Sequence, residues 1–289
     1  MPSELLIPRP RLPSWIRTKV PGGDRYTQIR EAKRNFNLHT VCEEARCPNI
    51  GECWSHGTAT FMLMGDVCTR RCNFCSVEKG RPGALDPNEP EHIAAVIAAM
   101  GLDYAVLTSV NRDDLPDQGA GHIAATIEAV HRRLPECQLE MLIPDFRGDA
   151  SCIRRVVETP LKVLAHNLET VPRLTKDVRN GAQYDRSLSV LSLAKQIRPG
   201  LLTKSGLMLG FGETREELLE AFRDLRRQDC DILTLGQYLR PSPEQLPVAA
   251  FITPGEFADL REDALSLGFR HVESGPMVRS SYHAWEHIS

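Results

Sequence analysis

The chain has 289 residues, of which 42% are hydrophobic and 25% charged, and its formal net charge is −3 at pH 7. These values are ordinary for a globular protein, and the length suffices for one full-sized domain with extensions. The charge gives no sign of a nucleic-acid scaffold or a polybasic membrane anchor, and no stretch approaches the roughly 18 apolar residues of a membrane span. The sequence therefore predicts a protein with no nucleic-acid partner and no membrane partner.

The N-terminal segment is rich in proline and lacks the apolar core of a secretory signal peptide. We therefore expect a cytoplasmic location. The nine cysteines would then lie in a reducing compartment, where close spacing indicates metal binding rather than disulfides. A helical pattern follows over Asp24–Phe36.

The first cysteine group has the spacing C-x4-C-x5-C and consists of Cys42, Cys47 and Cys53. Pro48 and Gly51 within it predict a loop or a short broken helix. Three thiolates do not complete a structural zinc site, which takes four protein ligands. The group by itself therefore lacks a fourth ligand.

The second group is more compact and has the spacing C-x3-C-x2-C, with Cys68, Cys72 and Cys75 in one eight-residue loop. Three thiolates can hold a 4Fe-4S cluster by three irons and leave the fourth iron open to a small molecule. Arg70 and Arg71 within the loop are expected to favour the thiolate forms. Two alternatives are a zinc knuckle completed by a remote residue and zinc sites shared between the two groups.

After residue 60 the chain alternates between strand-like and helix-like segments. The predicted strands are Phe61–Val67, Tyr104–Val110, Leu139–Ile143, Lys162–His166, Lys204–Leu209 and Ile232–Leu235. The predicted helices between them are Pro90–Met100, Ala120–Leu134, Asp149–Glu158, Asp185–Ile197 and Glu213–Gln228. This alternation predicts an α/β fold with a parallel sheet and right-handed crossovers. About six units are too few for a closed eight-stranded barrel, so we expect a partial (β/α)6 TIM-like barrel with its chemistry at the carboxyl ends of the strands.

We expect three parts: an N-terminal extension over residues 1–60, the barrel over 61–270 and a C-terminal tail over 271–289. Polar or glycine-rich segments follow three of the predicted strands. A polar loop without a ligand, a helix cap or a simple turn would look similar. The candidates for ligand binding in these segments are Thr108, Ser109, Asn167, Glu169, Met208 and Gly210.

Both cysteine spacings occur together with a terminal Arg279-Ser280-Ser281-Tyr282 segment. In this combination the chain resembles the lipoyl synthases, which are radical S-adenosylmethionine (radical SAM) enzymes, nearly from end to end. Phe74 before the last cysteine also matches the radical SAM signature. One departure is Asn111, where the family usually has aspartate.

The resemblance implies an enzyme, a sulfurtransferase that inserts two sulfur atoms at C6 and C8 of a protein-bound octanoyl-lysine to give lipoyl-lysine. Such C–H bonds have no acidity that a side-chain base could exploit, so a cofactor must supply a radical. The implied cofactors are two 4Fe-4S clusters and S-adenosylmethionine (SAM). The implied partners are octanoylated lipoyl carrier domains, namely 2-oxoacid dehydrogenase acyltransferase subunits and the glycine-cleavage H protein, and a low-potential electron donor such as ferredoxin or flavodoxin.

The resemblance also implies roles for individual residues. Cys68, Cys72 and Cys75 would hold the cluster that chelates SAM. The first cysteine group would hold an auxiliary cluster that donates sulfur, with Ser281 as its fourth ligand and Ser280 as the second choice. The polar strand-end residues would position SAM. They are Thr108, Ser109, Asn167, Glu169, Met208 and Gly210.

Other classes of protein with clustered cysteines remain as alternatives. One is another radical SAM sulfur-inserting enzyme, such as a biotin synthase or a tRNA methylthiotransferase. The others are a two-cluster electron-transfer protein and a structural zinc protein. Iron and sulfide content separates zinc from clusters, and SAM cleavage separates an enzyme from an electron carrier.

Overall fold

The computed structural model describes residues 12–18, 20, 22–36, 38–55 and 59–288. The described strands are β1 (His39–Thr40), β2 (Thr60–Leu63), β3 (Val67–Cys68), β4 (Glu78–Lys79), β5 (Tyr104–Ser109), β6 (Gln138–Leu142), β7 (Val163–Ala165), β8 (Leu202–Leu209), β9 (Ile232–Gln237) and β10 (His271–Gly275). The described α-helices are α1 (Asp24–Asn35), α2 (Val41–Glu44), α3 (Ile50–Ser55), α4 (Glu89–Ala99), α5 (Ala120–Arg133), α6 (Ala150–Val157), α7 (Pro172–Val178), α8 (Tyr184–Ile197), α9 (Arg215–Arg227) and α10 (Pro254–Ser266). None of these helices is long and apolar enough to cross a membrane.

The central sheet has eight strands in the order β1-β2-β5-β6-β7-β8-β9-β10. All neighbours from β2 to β10 pair in parallel, whereas β1 pairs antiparallel to β2. Every residue of β2, β7 and β9 is buried, as expected for parallel strands covered on both faces. The edge strands β1 and β10 do not pair with each other in the described chain, so the barrel is open and the predicted partial barrel is confirmed.

The sequence analysis missed one parallel strand of this sheet. Strand β10 carries His271, Glu273 and Ser274, and most of its residues are only half-buried. It therefore lacks the continuous apolar run that identifies the other parallel strands. Because β10 pairs with β9, the predicted tail over 271–289 begins inside the barrel sheet. The sequence analysis also missed β1, α7 and α10.

The first barrel strand is shorter than predicted. It ends at Leu63 because Met64 and Gly65 both have positive φ angles, of 69° and 87°, which are incompatible with an extended strand. The chain then forms the separate short strand β3, which pairs with β4. This break turns the chain at the carboxyl end of β2, and the second cysteine loop follows directly.

The N-terminal extension packs against the start of the barrel. In its described part the rings of Tyr26 in α1 and Trp54 in α3 lie 5.0 Å apart, and Trp54 is completely buried. Strand β1 pairs His39 with Met62 and Thr40 with Phe61. Residues 1–11 of the predicted extension lie outside the described residues. Because β1 is antiparallel to β2, the first cysteine group, which begins two residues after β1 in α2, lies beside the amino end of β2.

Candidate functional site

The loop that carries Cys68, Cys72 and Cys75 is fixed by hydrogen bonds to three other segments. The Thr69 amide donates to the Asn111 carbonyl (3.1 Å), and the Asn73 amide donates to the Val178 carbonyl (2.9 Å). The Asn73 carbonyl in turn accepts from the Leu246 amide (3.1 Å). The loop is therefore held in place by surrounding barrel loops.

The sulfur of Cys68 accepts two backbone N–H groups. They come from Arg70 at 3.4 Å and Asn111 at 3.3 Å. The carbonyl of Asn111 also accepts the hydroxyl of Thr69 (2.9 Å). Position 111 thus contributes to the loop through its backbone, which an asparagine supplies as well as the aspartate usual in the family.

Arg70 is bound by two carboxylates. Its guanidinium donates to Asp113 at 2.6 and 2.8 Å and to Asp145 at 2.9 and 3.3 Å. Burial would raise the pKa of Asp145, but the hydrogen bonds and charge of Arg70 outweigh it, and the pKa falls to about 2. Arg70 therefore joins the cysteine loop to the loops that follow β5 and β6.

The expectation that Arg70 and Arg71 favour thiolates is met only in part. Burial raises the pKa of Cys72 above its usual value; the charges of Arg179 and, to a smaller extent, Arg70 lower it but do not outweigh burial. Burial also raises the pKa of Cys75, to about 12. Arg71 is exposed to solvent. Burial therefore opposes deprotonation of Cys72 and Cys75, and metal binding to these thiols would release their protons.

The first cysteine group forms a second set of three neighbouring thiols. Burial raises the pKa of Cys42 to about 11 and that of Cys53 to about 12. The charge of Cys47 raises both values further, so the three sulfurs lie within electrostatic reach of one another. All nine cysteines of the chain are free thiols. The two triads have the same ligand chemistry in two separate places.

Two adjacent cavities separate the triads. The first, of about 360 Å³, is lined by Cys42, Cys47 and Cys53 and by the tail segment 278–282. The second, of about 190 Å³, is lined by Cys68 and Cys72. The residues that line both cavities form their common wall. They include Phe74, Cys75, Thr108, Asn167 and Glu169.

Five of the six predicted SAM-binding residues line these cavities. Thr108, Asn167 and Glu169 lie in the common wall, Ser109 lines the second cavity, and Met208 lines the first. Gly210 lines neither cavity. Its φ angle is 110°, and a Cβ atom there would overlap the Gln237 amide and the Ala250 carbonyl, so packing requires glycine at this position.

Two buried oxygen atoms in residues that line the second cavity have no partner among the described residues. They are the Ser109 hydroxyl oxygen and Asn167 Oδ1. A buried polar atom without a hydrogen bond costs about 1–3 kcal/mol. Both atoms therefore fit a polar ligand that donates to them.

Glu169 is held at the common wall by an unusual backbone conformation. Its φ angle is 66°, while its amide donates to the Gly206 carbonyl and its carbonyl accepts from the Met208 amide, both at 2.9 Å. Non-glycine residues adopt this region at a cost, and such residues often occur at functional sites. Burial raises the pKa of Glu169, opposed by the charge of Arg179 and a hydrogen bond from Asn167.

The tail reaches the first cavity through a turn over residues 279–282, in which the Tyr282 amide donates to the Arg279 carbonyl (2.9 Å). Asn167 donates to the Ser280 hydroxyl (2.8 Å). Ser281 lines the cavity that holds the first cysteine group, and its hydroxyl has no hydrogen bond within the described part of the chain. The two serines therefore differ in their surroundings.

Two further contacts position the tail. Asn49, between Cys47 and Cys53, donates to the Met277 carbonyl (2.6 Å). Gly236 in β9 lies so close to the tail that a Cβ atom there would overlap the Val278 carbonyl. Sequence reasoning missed Asn49 and Gly236 because their partners lie far along the chain. It also missed Asp145, although a carboxylate directly after a buried strand was a signal that could have been used.

Comparisons with known proteins identify the family of the chain. The model of the radical SAM superfamily matches residues 62–225, and the model of the N-terminal domain of lipoyl synthase matches residues 6–47. The lipoyl synthase of Koribacter versatilis is 54% identical over 96% of this chain and 91% of its own length. That of Rubrobacter xylanophilus is 56% identical over 95% of this chain and 85% of its own length.

Solved structures support the fold alone. The crystal structure of methylornithine synthase superposes with a TM-score of 0.55 at 17% identity, over 74% of this chain and 70% of that protein. Streptococcus suis SuiB superposes with a TM-score of 0.59 at 11% identity, over 86% of this chain and 53% of that protein.

Proposed function

Because the chain belongs to the lipoyl synthase family of radical SAM enzymes, we propose that it inserts two sulfur atoms at C6 and C8 of an octanoyl-lysine on a carrier protein. As a radical SAM enzyme it uses SAM and an iron–sulfur cluster, and as a lipoyl synthase it acts on a protein with an octanoyl group. The observation that supports the full reaction best is the pair of cysteine triads on adjacent cavities with a common wall. The family membership disfavours the biotin synthase, electron-carrier and zinc alternatives.

The triad of Cys68, Cys72 and Cys75 is proposed to hold the cluster at which SAM binds. When bound, the cluster and SAM supply a carbon radical that can take a hydrogen atom from an unactivated C–H bond. The protein's part is to orient SAM. Asn167 Oδ1 and the Ser109 hydroxyl offer acceptors that otherwise lack a donor, and both face the second cavity.

The other SAM contacts follow from their positions. Glu169 and Thr108 lie in the common wall, where they can reach the ribose and the polar end of SAM. Met208 lies on the first cavity and offers an apolar surface to the adenine. Gly210 is proposed to act indirectly, by allowing the turn after β8 to form.

The triad of Cys42, Cys47 and Cys53 is proposed to hold the second cluster, which is the sulfur-donating substrate of the reaction. Ser281 is proposed as its fourth ligand. Both serines line the cavity of the triad, and one observation supports Ser281 over Ser280: the Ser280 hydroxyl already accepts a hydrogen bond from Asn167. A hydroxyl oxygen is a harder ligand than a thiolate and suits an iron that must be released.

The octanoyl chain is proposed to enter the first cavity, between the two triads. Leu142, Leu207 and Val278 line this cavity and can exclude water from an apolar chain. The carriers are proposed to be 2-oxoacid dehydrogenase acyltransferase subunits and the glycine-cleavage H protein. The electron donor is proposed to be a ferredoxin or flavodoxin, and the location to be the cytoplasm.

A single-turnover assay tests this function. The anaerobic, cluster-loaded protein is mixed with an octanoyl-lysyl peptide, SAM and a reductant, and the peptide is analysed by mass. We expect the peptide to gain two sulfur atoms as a dithiol, and to lose two hydrogen atoms only when the dithiol is afterwards oxidised to the lipoyl disulfide. SAM cleavage without any sulfur in the peptide would contradict the proposed reaction while leaving the radical SAM assignment intact.

A further inference from the structure

A third group of metal-ligand side chains lies apart from both cysteine triads. His271 and Glu273 project from β10, and His287 lies in the 3₁₀ turn over Ala284–Ile288. One donor atom from each residue lies within 4.8 Å of the other two, and His271 Nε2 is 3.5 Å from Glu273 Oε2. None of the three lines the two cavities described above.

Three ring nitrogens of this group have no hydrogen-bond partner among the described residues. His287 is only 1% exposed, yet neither of its ring nitrogens is hydrogen-bonded within the described residues. His271 Nε2 is also buried without a hydrogen bond. Buried polar atoms are almost always satisfied, so several unsatisfied nitrogens around one point indicate a missing partner.

The nearby Lys204 ammonium is completely buried and is paired with Glu140 at 2.8 Å, so its charge is compensated within the barrel. Glu273 supplies the carboxylate of the group, and its Oε2 atom lies beside His271 Nε2.

We propose that His271, Glu273 and His287 bind one divalent transition-metal ion, of which Zn²⁺ is the simplest example. Two imidazoles and one carboxylate are a common ligand set for such ions. Ligand atoms about 2.0–2.1 Å from a tetrahedral Zn²⁺ lie roughly 3.3 Å apart, so the two nitrogens and the carboxylate need only small side-chain rotations to close around the ion. A water molecule would complete the coordination.

The proposed ion would join two parts of the fold. His271 and Glu273 belong to the barrel sheet, whereas His287 follows the segment that lines the first cavity. The ion would hold the end of the tail against β10. The site does not depend on the proposed function, because it involves none of the residues assigned to the clusters or to SAM.

Metal counting tests the site. The full chain with its clusters assembled is dialysed without oxygen against Zn²⁺, and zinc and iron are counted by mass spectrometry. We expect one zinc per chain, and we expect His271→Ala and His287→Ala each to weaken zinc binding by at least about tenfold. The matched control is His131→Ala, at the end of α5, which should still bind one zinc.

A more conservative variant and a spectrum complete the test. Glu273→Gln keeps the size of a half-buried side chain, so it should fold and yet bind zinc at least about tenfold more weakly. Co²⁺ bound here should lack the strong sulfur-to-cobalt charge-transfer band of a cysteine site. Absence of zinc from the unaltered protein, equal binding by all three ligand variants, or a thiolate spectrum would each overturn the proposal.

Hydrogen exchange in the tail tests the site independently of the number of zinc ions bound per chain. We expect Zn²⁺ to slow hydrogen exchange over residues 276–288 in the unaltered protein and in His131→Ala, but not in Glu273→Gln. Equal slowing in Glu273→Gln would show that zinc acts elsewhere, and it would overturn the proposed site.

Discussion

The two cysteine triads have the same ligands but different surroundings. The loop of Cys68 is fixed by neighbouring barrel loops and faces a cavity whose walls contain unpaired oxygen atoms. The triad of Cys42 belongs to the extension and faces the tail, which is joined to it by the bond from Asn49 to Met277. The comparison shows that three thiolates alone do not determine a role. Their surroundings differ, and the proposed roles follow from that difference: one triad lines a cavity with room for a ligand, and the other lines a cavity that also contains Ser281 of the tail.

Removing each triad separately gives the largest expected effect. Changing Cys68, Cys72 and Cys75 to alanine should abolish both SAM cleavage and lipoyl formation. Changing the triad of Cys42 should abolish lipoyl formation while SAM cleavage continues, because the SAM-binding cavity stays intact. Both products are measured by mass spectrometry in single turnover.

The control for these variants is Cys137→Ala, at a buried cysteine outside both cavities, which should retain both activities. Lipoyl formation at the normal rate without the triad of Cys42 would contradict the proposal that this triad is needed for sulfur insertion and the other for SAM cleavage.

Replacing Ser281 tests whether the tail supplies a ligand to the triad of Cys42. We expect Ser281→Ala to retain SAM cleavage and to lose most sulfur insertion, because the fourth iron loses its protein ligand. Ser280→Ala is the matched comparison and should be less affected, since Ser280 is bonded to Asn167. Full activity of Ser281→Ala, or a stronger defect in Ser280→Ala, would reverse the assignment.

A substitution distant from the ligands tests whether the tail must approach the barrel closely. In Gly236→Ala the new methyl group would overlap the Val278 carbonyl and displace the tail. Overpacking typically costs about 1–3 kcal/mol, so lipoyl formation should fall by roughly 5- to 100-fold while SAM cleavage persists.

The control is Gly255→Ala in α10, where the nearest atom to a new Cβ would be Thr253 Oγ1 at 3.9 Å and no loss is expected. An equal loss of SAM cleavage in Gly236→Ala would mean that the tail position is not specific to the second triad.

An effect of similar size is expected at the common wall. Loss of a hydrogen bond to a buried polar ligand costs about 1–3 kcal/mol, so Asn167→Ala should weaken SAM binding by roughly 5- to 100-fold in equilibrium measurements. Because Asn167 also holds Ser280, the Ser280→Ala variant serves as control and should bind SAM normally. Unchanged SAM affinity in Asn167→Ala would assign this residue to the tail alone.

The sequence predicted the regular part of the fold well. Strands that are buried on both faces, such as β9, appear as continuous apolar runs, and five of the predicted helices alternate with them as the structure shows. Strand β10 was missed because it carries ligand-type residues where the other strands carry aliphatic ones. The polar side chains that form the proposed metal site are therefore also the reason why β10 was not predicted as a strand.

Only part of the candidate site was predicted from the sequence. Closely spaced residues such as Cys68 and Cys72 are visible from spacing, and so are polar residues at strand ends. Asn49 and Gly236 act through partners in the tail, and no local pattern can indicate them. The effect of Arg70 on the Cys72 pKa was predicted in the right direction, but its extent depends on Asp113 and Asp145, which lie in other loops and compensate its charge.

The bond between Asn49 and Met277 joins residues that are 228 positions apart. A ribosome makes the chain from its N-terminus, so Cys42, Cys47 and Cys53 emerge long before the segment that faces them. During that interval the tail segment does not yet cover their thiols, which are therefore accessible to oxidants and to other metal ions. We therefore expect this triad to receive its iron and sulfide only after translation has passed residue 282. Nascent chains stalled before and after that position, tested for cluster assembly, would show the difference.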